Sequence, residues 1–197
     1  FRCRRPPVAP LSSSSAASDG YKSQILFRSP APKAGPVPAI LNIHGGGMIA
    51  GTPDMQAGVL ERLAADTGAL VVSVEYRLAP ETPFPGGLED VYAALVWLHD
   101  HAGELGVDAG RIMVMGDSGG GCLAAAPALM ARDRGKVKPR AHLLVYPMLD
   151  LRTGGVGAPA DDPARGESVW PRAPHQPAWS AVRGAVAAED PRFGALS

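Results

Sequence analysis

Cysteine is scarce in this chain: Cys3 and Cys122 are the two in 197 residues. Two are too few for a disulfide framework, and they form no zinc-binding pattern, so no structural metal is expected. Net charge is also missing, with 19 Lys and Arg against 19 Asp and Glu. That balance argues against a general nucleic-acid binder. No uninterrupted apolar run approaches the roughly 20 residues of a membrane-spanning helix. There is no internal repeat. The first residue is Phe1 rather than methionine, which reads as a processed chain or a piece of a longer reading frame. What is present is a 46% apolar composition, suited to a globular protein. The length allows one domain, or a large piece of one.

The balanced totals conceal unlike segments. Residues 1–38 hold six basic residues and one acidic, and residues 39–153 hold nine basic and thirteen acidic. Seven of the 20 prolines fall in the middle and thirteen in the two flanks. Proline removes a backbone donor and fixes φ, so the flanks are poor material for regular structure. Residues 1–20, rich in Arg and Ser, are expected to be a disordered tail. The core is expected over 21–153. Residues 154–197 are expected to be an irregular Pro/Gly-rich segment.

The middle alternates between strand and helix patterns. Ala39–Ile43, Ala69–Val74, Arg111–Met115 and Ala141–Tyr146 are short apolar or β-branched runs. Between them, Asp54–Thr67 has Val59, Leu60, Leu63 and Ala64 at helical spacing. Leu88–His101 places Leu88, Val91, Tyr92, Leu95 and Leu98 on one face, and Gly119–Arg134 is a small-residue helix. Strands separated by helices imply βαβ units: an α/β fold, doubly wound around a mostly parallel sheet. Tyr21–Arg28 adds an antiparallel edge strand.

Two motifs carry chemistry. Gly116-Asp117-Ser118-Gly119-Gly120 follows a strand and opens a helix, the context a G-x-S-x-G nucleophile elbow requires. The turn tolerates little bulk beside the serine, and the helix start offers free N–H groups to developing negative charge. The competing reading is a Gly-rich turn with an N-capping serine. The same five residues occur around the serine of chymotrypsin-like proteases, but the disulfides and upstream Ala-Ala-His-Cys histidine of those enzymes are absent. The second motif, His44-Gly45-Gly46-Gly47, follows the strand at Ala39–Ile43. Glycine amides there can approach an oxyanion because no Cβ intervenes. A phosphate-binding loop would need a Gly-Lys-Ser/Thr ending, which is missing. Together with the Gly119 amide, the loop can form an oxyanion hole, the largest electrostatic contribution in most acyl transfer.

With these motifs in place, residues 39–151 resemble the hormone-sensitive-lipase-like esterases of the α/β-hydrolase fold. The resemblance extends through Tyr76-Arg77-Leu78-Ala79-Pro80-Glu81, Pro83-Phe84-Pro85, Leu88-Glu89-Asp90, Gly106-Val107-Asp108, Ala131-Arg132-Asp133 and Tyr146-Pro147-Met148-Leu149-Asp150. It implies Ser118 as the nucleophile, with Gly45, Gly46 and Gly119 as oxyanion donors. It implies hydrolysis of carboxylic esters of short to medium acyl chains, with a small-molecule ester as partner and no cofactor. The alternative is a non-catalytic relative that binds a small molecule or a partner.

Other residues have supporting readings. Asp117 is read as bracing the loop by hydrogen bonding rather than as a triad acid, and His44 as ordering the glycine loop beside Gly47. Arg77 and Glu81 are read as an ion pair or loop anchor. His99 and His101 are taken as surface residues, and His142 and Cys122 as structural. Three positions depart from the family pattern: Gly119 replaces alanine, Met48 replaces an aromatic, and Pro127 interrupts the elbow helix. A triad also needs an acid and a histidine after the serine. In the family the histidine sits in a His-Gly-Phe-like context, which is absent here. Asp161 or Asp162 with His175 satisfies the order without a framework to position it. Val169–Ala181 is similar to the family's tryptophan-containing cap segment. The expectation is a truncated hydrolase, inactive or weak by itself.

Overall fold

The computed structural model describes residues 24–31, 34–151 and 175–186. The expected tail over 1–20, Cys3, Asp161 and Asp162 lie outside the described residues.

Among the described residues, five strands form one sheet: β1 (Gln24–Phe27), β2 (Val37–Ile43), β3 (Leu70–Val74), β4 (Val107–Asp117) and β5 (Ala141–Val145). Five helices of the described residues accompany them: α1 (Ala57–Thr67), α2 (Gly86–Asp100), α3 (Ala102–Leu105), α4 (Gly119–Arg134) and α5 (His175–Arg183). The strand order is β1-β3-β2-β4-β5. β1 runs antiparallel to β3 at one edge, and β3, β2, β4 and β5 are mutually parallel. This is the expected doubly wound α/β sheet with an antiparallel edge strand.

The strands alternate their side chains between two apolar layers, as the pleat requires. Leu41, Ile43, Val72, Val74, Ile112 and Val114 enter the larger core, built with α2, α4 and α5. Ile40 and Val71 point the other way, onto Leu60 and Ala64 of α1. Leu88, Val91, Tyr92, Leu95 and Leu98 of α2 are all buried, as their spacing predicts. In α1 the stripe is narrower than expected. Leu60 and Ala64 are buried four residues apart, while Val59, rotated about 100° from Leu60, is 67% exposed. The helix stops at Gly68, whose φ of 71° suits glycine and whose N–H donates to Ala64 O at 2.9 Å.

Two elements differ from expectation. β4 begins at Val107, four residues before the apolar run. Asp108 accepts from Arg111 Nε at 2.7 Å and from the Gly110 N–H at 2.9 Å, holding the polar start of this strand in place. The segment expected to be irregular contains α5. Ala178, Trp179 and Val182 on its inner face are buried in the larger core. Their i, i+1 and i+4 spacing is a helical stripe that Pro174 and Pro177 obscure. Pro177 is tolerated because it falls in the first turn, where its missing N–H has no intrahelical acceptor.

Candidate active site

The parallel strands aim their C-terminal ends at one rim, where loops from β2, β3, β4 and β5 converge. Three non-glycine residues with positive φ stand on that rim: Met48 at 62°, Ser118 at 53° and Tyr146 at 35°. Such backbone is costly for an L-residue and persists only where its surroundings impose it.

Ser118 sits between β4 and α4, and its backbone is fixed on three sides. Its N–H donates to Val145 O at 3.0 Å, and its carbonyl accepts from Cys122 N at 3.1 Å and Met148 N at 2.9 Å. Glycines let the turn close this tightly. A Cβ on Gly116 would strike the carbonyl of Gly120, and one on Gly120 would strike the carbonyls of Ile43 and His44. The serine is half-buried. Among the described residues its hydroxyl has no hydrogen-bond partner.

The glycine loop is folded into a tight turn in which Ile49 N and Ala50 N both donate to Gly46 O at 3.1 Å. His44 is buried beneath it. Its Nδ1–H donates to Gly45 O at 2.8 Å, and its ring stacks on Tyr76 at 4.3 Å. The Tyr76 hydroxyl donates to His44 O at 2.9 Å. Burial holds the His44 pKa below its usual value, against the opposing pull of the Gly45 carbonyl. A neutral imidazole tied down in this way orders the loop. The loop is tied to the next segment by Ala79 N, which donates to Met48 O at 3.0 Å.

The three glycines occupy different places. Gly45 packs on Asp117: a Cβ there would collide with Asp117 Oδ2 and lie 3.2 Å from its carbonyl oxygen. Gly47 is the loop glycine beside α4, because a Cβ on Gly119 would lie 2.9 Å from Gly47 N and Cα and 2.8 Å from Met48 N. Among the described residues, the amides of Gly45, Gly46, Gly47 and Gly119 have no acceptor. Unpaired donors close to a helix N-terminus and a serine are the groups from which an oxyanion hole is built.

Asp117 accepts from Gln56 Nε2 at 3.0 Å. Arg77 pairs with Asp90 rather than with Glu81, which is exposed. The guanidinium makes Nε–Oδ2 and Nη2–Oδ1 bonds of 2.8 Å each, and Arg77 N adds a third at 2.9 Å to Oδ2. Residue types suggested a nearby carboxylate, but the loop turns Glu81 outward and α2 carries Asp90 under the guanidinium. Behind the loop is a small pocket lined by Met48, Ala79, Phe84, Leu88, Leu123 and Val182 among others. Ser118 is not part of its wall.

His175 begins α5 beside Asp150, whose backbone hydrogen-bonds to it. Burial lowers its pKa, and among the described residues its buried Nε2 has no partner. Among the described residues it makes no bond to Ser118. His99 and His101 bond Asp100 and the Trp97 carbonyl, and His142 bonds the Ala124 carbonyl, all away from the serine. Cys122 is fully buried, and burial pushes its thiol up to about 12. Among the described residues no group of three or more His, Cys, Asp or Glu could hold a metal.

A family model described as the alpha/beta hydrolase fold matches residues 40–197. The chain belongs to the α/β-hydrolase fold family. Within that family it is similar to Esterase LipI of Mycobacterium tuberculosis, at 42% identity over 125 residues, covering 64% of this chain and 39% of that protein. It is 35% identical to human hormone-sensitive lipase over 153 residues, covering 78% of this chain and 14% of the lipase. The solved structure of a bacterial heroin esterase superposes with a TM-score of 0.70 at 39% identity, covering 83% of this chain and 55% of that one. This α/β-hydrolase chain therefore spans about two fifths of the mycobacterial esterase and about half of the heroin esterase. The resemblance to hormone-sensitive-lipase-like esterases stands on these relatives, and no helix among the described residues is long and apolar enough to cross a membrane.

Proposed function

We propose that the protein is a serine carboxylic-ester hydrolase acting through an acyl-enzyme on Ser118. The observation that carries this reading is the elbow: a half-buried serine at φ 53°, with acceptor-free loop and helix amides beside it. Ser118 Oγ attacks the ester carbonyl carbon, and the carbonyl π pair moves onto oxygen. The amides of Gly46, Gly47 and Gly119 receive that oxyanion. Gly45, placed in the donor set by the resemblance, packs on Asp117 and serves as the loop's contact with the elbow. Collapse of the tetrahedral species expels the alcohol and leaves the acyl group on Ser118. Water then releases the acid. No cofactor or metal takes part in these steps.

The attack requires a general base for the Ser118 proton and a carboxylate to orient that base. The described residues bring no histidine to Ser118, so the 197-residue chain is expected to turn over esters weakly or not at all by itself. The domain division in this proposal is a hydrolase core over 21–153, with 154–197 contributing α5 to its wall. The substrate class is small esters with short to medium acyl chains, in keeping with the esterase names of the relatives. A non-catalytic binding role would leave the strained serine and the unpaired amides without use.

The test is capture of a fluorophosphonate probe and hydrolysis of p-nitrophenyl butyrate by the purified chain. Labelling should map to Ser118 and vanish in Ser118→Ala. Labelling that survives that substitution would overturn the assignment of the nucleophile. Turnover at the rate of an ordinary esterase would refute the expectation of weak activity.

A further inference from the structure

We propose that Gln56 is a positioning residue for the oxyanion loop, holding the Asp117 carboxylate off the loop's amides. This rests on the esterase reading above. Gln56 occupies the N-cap position of α1, where Ser, Thr, Asp or Asn would normally satisfy the first free N–H groups. Its side chain makes no such cap. It reaches instead across 61 positions of sequence to donate Nε2–H to Asp117 Oδ1 at 3.0 Å. A local rule broken without local gain marks a functional constraint.

Asp117 explains the constraint. It directly precedes Ser118, and its second oxygen lies against Gly45. An ionised carboxylate only accepts hydrogen bonds. Beside it stands a loop whose amides have no acceptor. Freed from Gln56, the carboxylate would take those N–H groups, and its charge would oppose the oxyanion they serve. Among the described residues Gln56 is the side-chain donor to this carboxylate. Its own backbone is rigid, because its carbonyl accepts from Val59 N at 2.9 Å and Leu60 N at 3.0 Å in the first turn of α1. The contact therefore ties α1, the elbow and the loop into one unit.

The test is Gln56→Ser in the full chain, alone and combined with Asp117→Asn. Serine restores the helix cap while removing the amide donor, so Tm should hold or rise by about 2 °C. A residue needed only for packing would lower it. The rate of phosphonate capture at Ser118 should fall tenfold or more in Gln56→Ser. In the Asp117→Asn background the same substitution should change it less than twofold. Amide NMR supplies a readout that needs no chemistry. The Gly46 or Gly47 proton should move downfield in Gln56→Ser and return when Asp117 is also replaced. Unmoved loop amides would overturn the proposal whether or not Ser118 reacts. Equal rate losses in both backgrounds would overturn it too. If the parent chain captures no phosphonate for want of a base, the rate comparison is silent and the amide shifts alone decide the role of Gln56.

Discussion

Adding one methyl group to Gly120 should reduce stability far more than adding it to Gly119, although the two are adjacent in α4. At Gly120 the new Cβ collides with the carbonyl oxygens of Ile43 and His44 and lies 2.7 Å from His44 C. An ordinary contact there begins near 3.4 Å. The atoms in the way belong to the end of β2, which is paired on both sides at the centre of the sheet. The strand cannot yield, so α4 must lift by roughly 1 Å or more, given that 3.4 Å limit and the still closer Ile43 oxygen, and loosen the packing of buried Cys122, Leu123 and Ala124. Overpacking of this kind costs about 1–3 kcal/mol. The upper part of that range corresponds to a Tm lower by about 6–10 °C for a chain of this size. At Gly119 the obstacles are Met48 N at 2.8 Å and Gly47 N and Cα at 2.9 Å. These belong to a loop that can retreat by about 0.6 Å, judged against the same contact limit, and helix propensity favours alanine by up to about 1 kcal/mol. Gly119→Ala should therefore stay within about 1 kcal/mol of the parent. It moves the loop proposed to carry the oxyanion donors, so phosphonate capture should slow although the fold is intact. Urea unfolding followed by tryptophan fluorescence measures both midpoints. A Gly120→Ala midpoint equal to the parent's, or a larger loss in Gly119→Ala, would refute the assignment of rigid strand against movable loop.

Two further outcomes follow from buried polar groups. Asp90→Ala should lower unfolding free energy by about 2–3 kcal/mol, below the ~3–5 of a fully buried pair because Arg77 can turn to solvent. Glu81→Ala should lie within about 0.5 kcal/mol, and chemical denaturation of both variants separates the two carboxylates. The Cys122 thiol ordinarily titrates near 9.0 and is pushed up to about 12 by burial. It should be unreactive toward a disulfide reagent at pH 8 in the native chain and react at once in denaturant. Its folded pKa is raised, so its contribution to stability is complete below pH 9 and is lost as pH rises toward 12. In a Cys3→Ser background, rapid native labelling at pH 8 would show that α4 does not seal Cys122.

The sheet and its helices were legible because their signals are periodic. The α2 face and the alternation of β2 and β3 follow from residue order alone. The unread parts depend on direction. Val59 has the right chemistry for the α1 stripe but lies one helical step off it. Arg77 had carboxylates at two chain distances, and only the path of the loop selects Asp90. The run of glycines after His44 is uniform in sequence, so nothing in it tells that Gly45 meets Asp117 while Gly47 meets Gly119. Gln56 gave no signal, since a glutamine before a helix matches no catalytic motif. α5 was hidden by two prolines, although Trp179 and Val182 carried its buried stripe.

The contacts beneath Ser118 also bear on how such a site could change its preferences. Gly116 faces the Gly120 carbonyl, Gly120 faces β2, and a Cβ on Gly121 would lie 3.0 Å from Pro147 Cα and 3.2 Å from Gly116 O. Backbone touches backbone, and there is no side-chain volume left to trade. Substitution at the floor of the site therefore disturbs the turn before it reshapes any surface for a substrate. Diversification is left to places where side chains already fill space, such as Met48 after the glycine loop. The floor is mutationally closed, and the rim is where new specificities can arise.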